Sequence, residues 1–162
     1  MININLPLND RMSAEQFTDV YESGKVTRWH TSRAFGQQTN ADHSWGVAMI
    51  ITMLWPDASA ALLKAALMHD LPERMTGDVP SHAKWNFLPL KEAVKTMEEN
   101  YWKRVSLKLP VLSEEEKKQL ALADQIEALM FLSVTASETE VKNATEILAS
   151  NINTMQQVGT RN

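Results

Sequence analysis

The sequence predicts an all-α domain of about six to seven helices, and three observations carry that expectation. Apolar residues recur at helical spacing in several long stretches, no segment alternates with period two long enough to demand a strand, and Ser, Pro and Gly punctuate the ends of the stretches. The chain has 162 residues, 44% of them apolar and 22% charged. That size and balance fit one continuous core needing no disulfide or structural metal. No repeat, low-complexity tract or Gly/Ser linker divides it, so residues 1–162 read as a single domain.

Ser13-Ala14-Glu15-Gln16 has the form of a capping box, and a first helix is expected from there to about Arg28. His30 to Asn40 is polar, holds Gly36 and lacks periodicity, so it reads as an irregular connection. A second helix follows from about Ala41 to Trp55, ended by Pro56 and Asp57. Ser59 to Met75 is rich in Ala, Leu and Met, with Pro72 expected to kink it and Gly77 to cap it. Two longer helices are expected at about Leu88 to Lys108 and Ser113 to Thr135, the latter opened by Ser113-Glu114-Glu115-Glu116. A last helix spans about Glu138 to Gln157. Helical spacing favours Trp85, Phe87, Tyr101 and Trp102 as core, with a subunit interface the alternative.

Charge and composition exclude several functions. The net charge is −4, the isoelectric point is near 5.6, and no Lys/Arg block resembles those that grip a phosphate backbone, so polymeric nucleic acid is not expected as a partner. With zero cysteines, any metal must be held by His, Asp or Glu. The start MININLPLNDR lacks the basic end and apolar core of a signal peptide, and no apolar run approaches the roughly 20 residues of a membrane span. A cytoplasmic location without membrane contact is the expectation.

Four histidines occur. His43 lies at the start of the second helix, and His69 is followed directly by Asp70 near the end of the third. Asp124 interrupts the apolar run LALADQIEALMFL, where a buried carboxylate is costly unless paired, protonated or bound to a metal. Imidazoles and carboxylates together suit a divalent cation such as Zn, Mn, Co, Fe or Ni. Taken singly, each residue has a plainer reading as a cap or surface group.

The stretch His69-Asp70-Leu71-Pro72-Glu73-Arg74-Met75-Thr76-Gly77-Asp78-Val79-Pro80 says more. Glu73 lies four residues after His69 and three after Asp70, spacings that place it on the same helix side unless the Pro72 kink turns it away. Asp78, just past the Gly77 cap, can project back over that helix end. Such acids are candidates for general acid–base work beside a metal. The plainer reading is a solvated acidic helix end.

The order His43, His69-Asp70, Asp124 resembles the H…HD…D signature of the HD-domain metal-dependent phosphohydrolases, over most of the chain. The closer likeness is to the 5'-deoxynucleotidase branch and its small phage relatives that hydrolyse dATP. That branch has an Arg-Trp pair upstream, an HDxxExxxGDxP segment, a Lys shortly after it and an Asp in a late helix. Here they are Arg28-Trp29, Asp42-His43-Ser44, the segment above, Lys84 and Ala123-Asp124.

The resemblance implies an HD-type helical bundle in which His43, His69, Asp70 and Asp124 ligate a divalent ion, Zn, Co or Mn, with Mg a further candidate. It implies that Glu73 assists proton transfer at the phosphate and that Asp78 contacts the sugar 3'-hydroxyl and helps exclude ribose. Trp29 would shape the sugar and base pocket, with Arg28 and Lys84 near the phosphates, and Arg33 extending the cationic surface. Trp29 as plain core and Lys84 as a solvated charge are the alternatives. His30 and His82 depart from the pattern, standing where the bacterial nucleotidases have prolines, and either is a candidate for a second metal site.

The expected activity is hydrolysis at the alpha phosphate of a deoxyribonucleotide, foremost dATP to deoxyadenosine and triphosphate, in a bacterium or a phage-infected host. A 5'-deoxynucleotidase acting on monophosphates is the first alternative, and a helical module that senses a nucleotide without turnover the second. A homo-oligomer is implied by the resemblance. Base preference and the native metal leave no signature in the sequence.

Overall fold

In this computed structural model, residues 12–31 and 37–135 are described without a break, together with 138–139, 141–143, 145–146 and 149–150. Their order is α1 (Ala14–Ser23), β1 (Thr27–Arg28), β2 (Gln38–Thr39), α2 (Asn40–Leu54), α3 (Ala60–Met68), α4 (Glu73–Thr76), α5 (Ser81–Asn86), α6 (Leu88–Arg104) and α7 (Glu114–Thr135). The described residues from 138 to 150 are helical as well, as expected of the last helix; positions 151–157 of that expectation lie outside the described residues. The all-α reading stands. Among the described residues, no helix is long and apolar enough to cross a membrane.

The core forms where α2 packs against both α3 and α7. Val47, Ile50 and Ile51 of α2 meet Leu62, Ala65 and Ala66 of α3, joined by Leu112 and by Ala123 of α7. These i, i+3 and i+4 spacings are the apolar stripes of helices that share one interface. Tyr101 is fully buried, whereas Trp85 is 70% and Phe87 60% exposed, so the expectation of a core role fails for these two.

Local chemistry sets the helix ends. Ser13 and Gln16 form the expected capping box. Ser113 and Glu116 do the same ahead of α7, and Ser59 donates to Glu116, tying α3 to α7. Four boundaries differ from expectation. The first helix stops at Ser23 rather than near Arg28, because Thr27 and Arg28 pair antiparallel with Thr39 and Gln38. A two-residue ladder is too short to leave an alternation in the sequence. It also moves the start of α2 to Asn40, capped by a second box between Thr39 and Asp42. The expected helix Ser59–Met75 breaks into α3 and α4, with tighter bonds such as Leu71 N–H to Met68 O in between. Pro72 has no N–H to give Met68, four residues earlier, and its ring clashes with that carbonyl, so regular helix ends at Met68. Gly77 caps α4 at φ 68°, as a glycine can. Finally, α6 ends at Arg104, short of Lys108, with Ser106 in the left-handed region at φ 55°.

Candidate metal centre

His43 comes from the first turns of α2, His69 and Asp70 from the end of α3, and Asp124 from the middle of α7, the three helices that share the core. Packing therefore carries four candidate ligands, distant in sequence, to one point. His43 Nε2 lies 3.0 Å from Asp124 Oδ1, 3.3 Å from His69 Nε2 and 3.5 Å from Asp70 Oδ2. His69 Nε2 is 3.5 Å from Asp70 Oδ2 and 4.0 Å from Asp124 Oδ1. A cation bound at roughly 2.1 Å by nitrogen and oxygen separates adjacent ligand atoms by about 3 to 3.5 Å. His43, His69 and Asp124 can each offer one atom within 4.8 Å of the others. Asp70 Oδ2 reaches both histidines but stands outside that mutually close set of three, and it accepts from Arg28 Nη1.

Each imidazole is turned so that Nε2 faces this point. His69 Nδ1 donates to the Ala66 carbonyl, 2.8 Å away. His43 Nδ1 lies 2.5 Å from Glu127 Oε2. A ligating histidine characteristically gives its second N–H to such a partner. The donor set, its spacing and its orientation fit a divalent ion.

The charges respond to one another. Burial alone would lower the His43 pKa, but hydrogen bonds to Asp124 and Glu127 raise it to about 9. Burial would raise that of Asp124, yet His43 and His69 bring it below the ordinary carboxylate range. Glu73 is pushed up to about 8, by burial first and then by the Asp70 charge, against the pull of Arg28. Burial and the Asp70 charge thus favour its protonated form, while Arg28 Nη1 stays 3.8 Å from its Oε2.

Arg28, Glu73, Asp78 and Trp29 line one side of the centre. Trp29 holds φ 61°, a region costing a non-glycine residue roughly 1–2 kcal/mol. Its N–H donates to Asp78 Oδ2 at 3.0 Å, its indole donates to Gln38, and its ring stacks 5.9 Å from Phe131. Arg28 Nε, Asn40 Oδ1 and Glu73 Oε2 are buried without a hydrogen-bond partner among the described residues. A cavity of about 420 Å³ opens beside His69 and Asp124, lined also by Leu109, Pro110, Leu112, Lys117 and Leu120.

The sequence-based candidates fare unevenly. Lys84 is half-buried on α5, close enough to Glu98 to lower its pKa against the upward push of burial. Arg33 lies outside the described residues. His30 and His82 are exposed and belong to no metal-competent cluster among the described residues. Asp124 is not the deeply buried acid its apolar run suggested, since its side chain is 43% exposed. That acid is Glu127, three residues on and 9% exposed, which sequence reasoning missed along with Gln38 and Asn40. The cost of burying a carboxylate in the same run was the signal that could have found Glu127.

Comparison with known proteins identifies the family and the fold. The family model described as HD domain matches residues 24–156. A dATP triphosphohydrolase of Salmonella phage PMBT28 is 33% identical over 93 residues, 49% of this chain and 47% of that protein, so the match spans about half the relative's length. Among solved structures, the cyanophage S-2L HD phosphohydrolase DatZ, bound to dA and one catalytic Zn2+ ion, superposes with a TM-score of 0.64 at 21% identity. The match covers 86% of this chain and 82% of that one. At that identity the likeness is one of fold.

Proposed function

This chain belongs to the HD domain family, and on that premise we propose that it is a divalent-metal-dependent phosphohydrolase converting dATP to deoxyadenosine and triphosphate. The observation that carries the proposal is the convergence of His43, His69 and Asp124, with Asp70 in reach of both imidazoles, beside Glu73 and a half-buried Arg28. The substrate class is supported by the dATP triphosphohydrolase relative, and zinc by the fold neighbour's catalytic ion.

His43, His69, Asp70 and Asp124 would hold the ion, which when bound supplies positive charge for phosphate oxygens and acidifies water. Arg28, with Asp70 and Glu73 on either flank, presents its guanidinium to the remaining phosphate charge. Lys84 adds a second cation from α5. The Trp29 ring, backed by Phe131, offers a face to the base, and Asp78, oriented by the Trp29 N–H, accepts from the sugar 3'-hydroxyl. As the bond from phosphorus to the 5' oxygen breaks and water oxygen takes its place, Glu73 gives its proton to the departing 5' oxygen, and the proton that the water sheds restores the one Glu73 gave. Deoxyadenosine leaves as a neutral alcohol. A group with a pKa near 8 is matched to that task at neutral pH.

The test is to replace His69 or Asp70 by Ala and confirm folding by circular dichroism. The reading expects hydrolysis to vanish in both, and full activity in either would overturn the ligand assignment.

A further inference from the structure

A line of hydrogen bonds from three other parts of the chain ends on His43. Trp29 Nε1 donates to Gln38 Oε1 at 2.8 Å, Gln38 Nε2 donates to Glu127 Oε1 at 2.6 Å, and Glu127 Oε2 faces His43 Nδ1 at 2.5 Å. Gln38, Glu127 and His43 are 4%, 9% and 0% exposed, so bulk water replaces none of these partners. The far end forces the polarity of the first two links. An indole nitrogen only donates, so Gln38 must turn its oxygen to Trp29 and its N–H to Glu127. Glu127 then accepts from Gln38 on Oε1, and as a carboxylate it also accepts from His43 on Oε2. With Glu127 accepting, His43 keeps its hydrogen on Nδ1 and has Nε2, the atom nearest Asp124 and His69, to offer to a cation.

We propose that Gln38 and Glu127 are positioning residues of the metal centre, and that the donor-only indole of Trp29 sets, through them, the tautomer and ring orientation in which His43 offers Nε2 to a divalent cation. The inference rests on the metal-centre reading above. It gives Trp29 a task distinct from contact with a base, and it explains why a buried Gln and a buried Glu meet at one place. Strand pairing fixes the Gln38 backbone opposite Arg28, so the amide is held from both ends.

The test uses the full chain and Co2+ as the probe, read by its visible absorption and by competition with Zn2+. Glu127→Gln places an amide N–H against a donor, either Gln38 or His43, so it is expected to bind Co2+ about 10- to 100-fold more weakly, with a changed spectrum. Trp29→Phe releases Gln38 to reverse its amide. In the double variant W29F/E127Q, the Gln38 oxygen can accept from the new amide, whose own oxygen still accepts from His43. That variant is expected to regain affinity, binding Co2+ more tightly than E127Q by about tenfold.

A packing role alone would make the two substitutions add, so equal or weaker binding by the double variant overturns the proposal. Wild-type affinity and spectrum in E127Q overturn it too. If E127Q does not fold, Gln38→Met and W29F are compared instead; each is expected to weaken Co2+ binding several-fold, and wild-type affinity in both overturns the proposal. A wild-type chain that binds neither Co2+ nor Zn2+ overturns the metal centre itself, and the proposal with it.

Discussion

Glu127 reaches His43 because residue 46 has no side chain: a Cβ on Gly46 would lie 2.7 Å from Glu127 Cγ and 3.1 Å from its Oε1. The obstacle is the middle of the Glu127 side chain, which cannot swing clear without breaking its bonds to Gln38 and His43. Gly46→Ala is therefore expected to cost about 1–3 kcal/mol of stability, as overpacking does. Thermal unfolding of the metal-free protein measures this, and an unchanged Tm would mean the helices separate freely at this point.

Glu73→Gln should separate binding from chemistry. The amide keeps the size of the side chain and removes its transferable proton, so hydrolysis is expected to fall on the order of 100- to 10,000-fold while metal affinity stays within a few-fold of wild type. Steady-state rates and a metal titration on the same preparation check both halves. Retention of activity would exclude Glu73 as the acid.

The metal-free protein should lose stability as pH rises. His43 moves from 6.5 to about 9 on folding and Glu73 from 4.5 to about 8. Both folded groups hold protons more tightly than their unfolded counterparts, so their stabilisation is complete below the unfolded values and is lost as pH passes the folded ones. Between pH 6.5 and 9 the Tm of the metal-free chain is expected to fall by several degrees. Saturating Zn2+ should reverse the trend, because a ligating Nε2 must shed its proton and metal affinity rises with pH. A flat metal-free Tm across that window would contradict the His43 environment.

Arg28→Lys is a sharper substitution than it looks. Arg28 Nη1 alone meets both Asp70 and Glu73, which leaves the rest of the planar guanidinium for a phosphate in a way an ammonium cannot reproduce. At least a tenfold loss in kcat/KM is expected. Wild-type kcat/KM in the variant would remove Arg28 from the substrate site.

Much of this was legible in the sequence wherever local chemistry decided the outcome. The Ser13 and Ser113 caps, the Gly77 turn and the His69-Asp70 pair need only neighbours within a few residues. Pro72 was legible as an interruption, but its reach back to Met68 splits the helix where a kink was expected. The rest depends on residues far apart. Glu127 pairs with His43 across 84 positions and with Gln38 across 89, and nothing local marks either. The β1–β2 ladder is two residues a side, and its main effect is to hold Arg28, Trp29 and Gln38 in one place. Trp85 and Phe87 followed a helical spacing that the structure leaves facing outward.

The most direct measurement is product analysis of dATP incubated with the purified chain and Zn2+, Co2+, Mn2+ or Mg2+, beside ATP and dAMP. Deoxyadenosine and intact triphosphate are expected in equal amounts, with ATP slower and chelator abolishing the reaction. Pyrophosphate with dAMP, orthophosphate from dAMP alone, or no product with any of the four ions would contradict it.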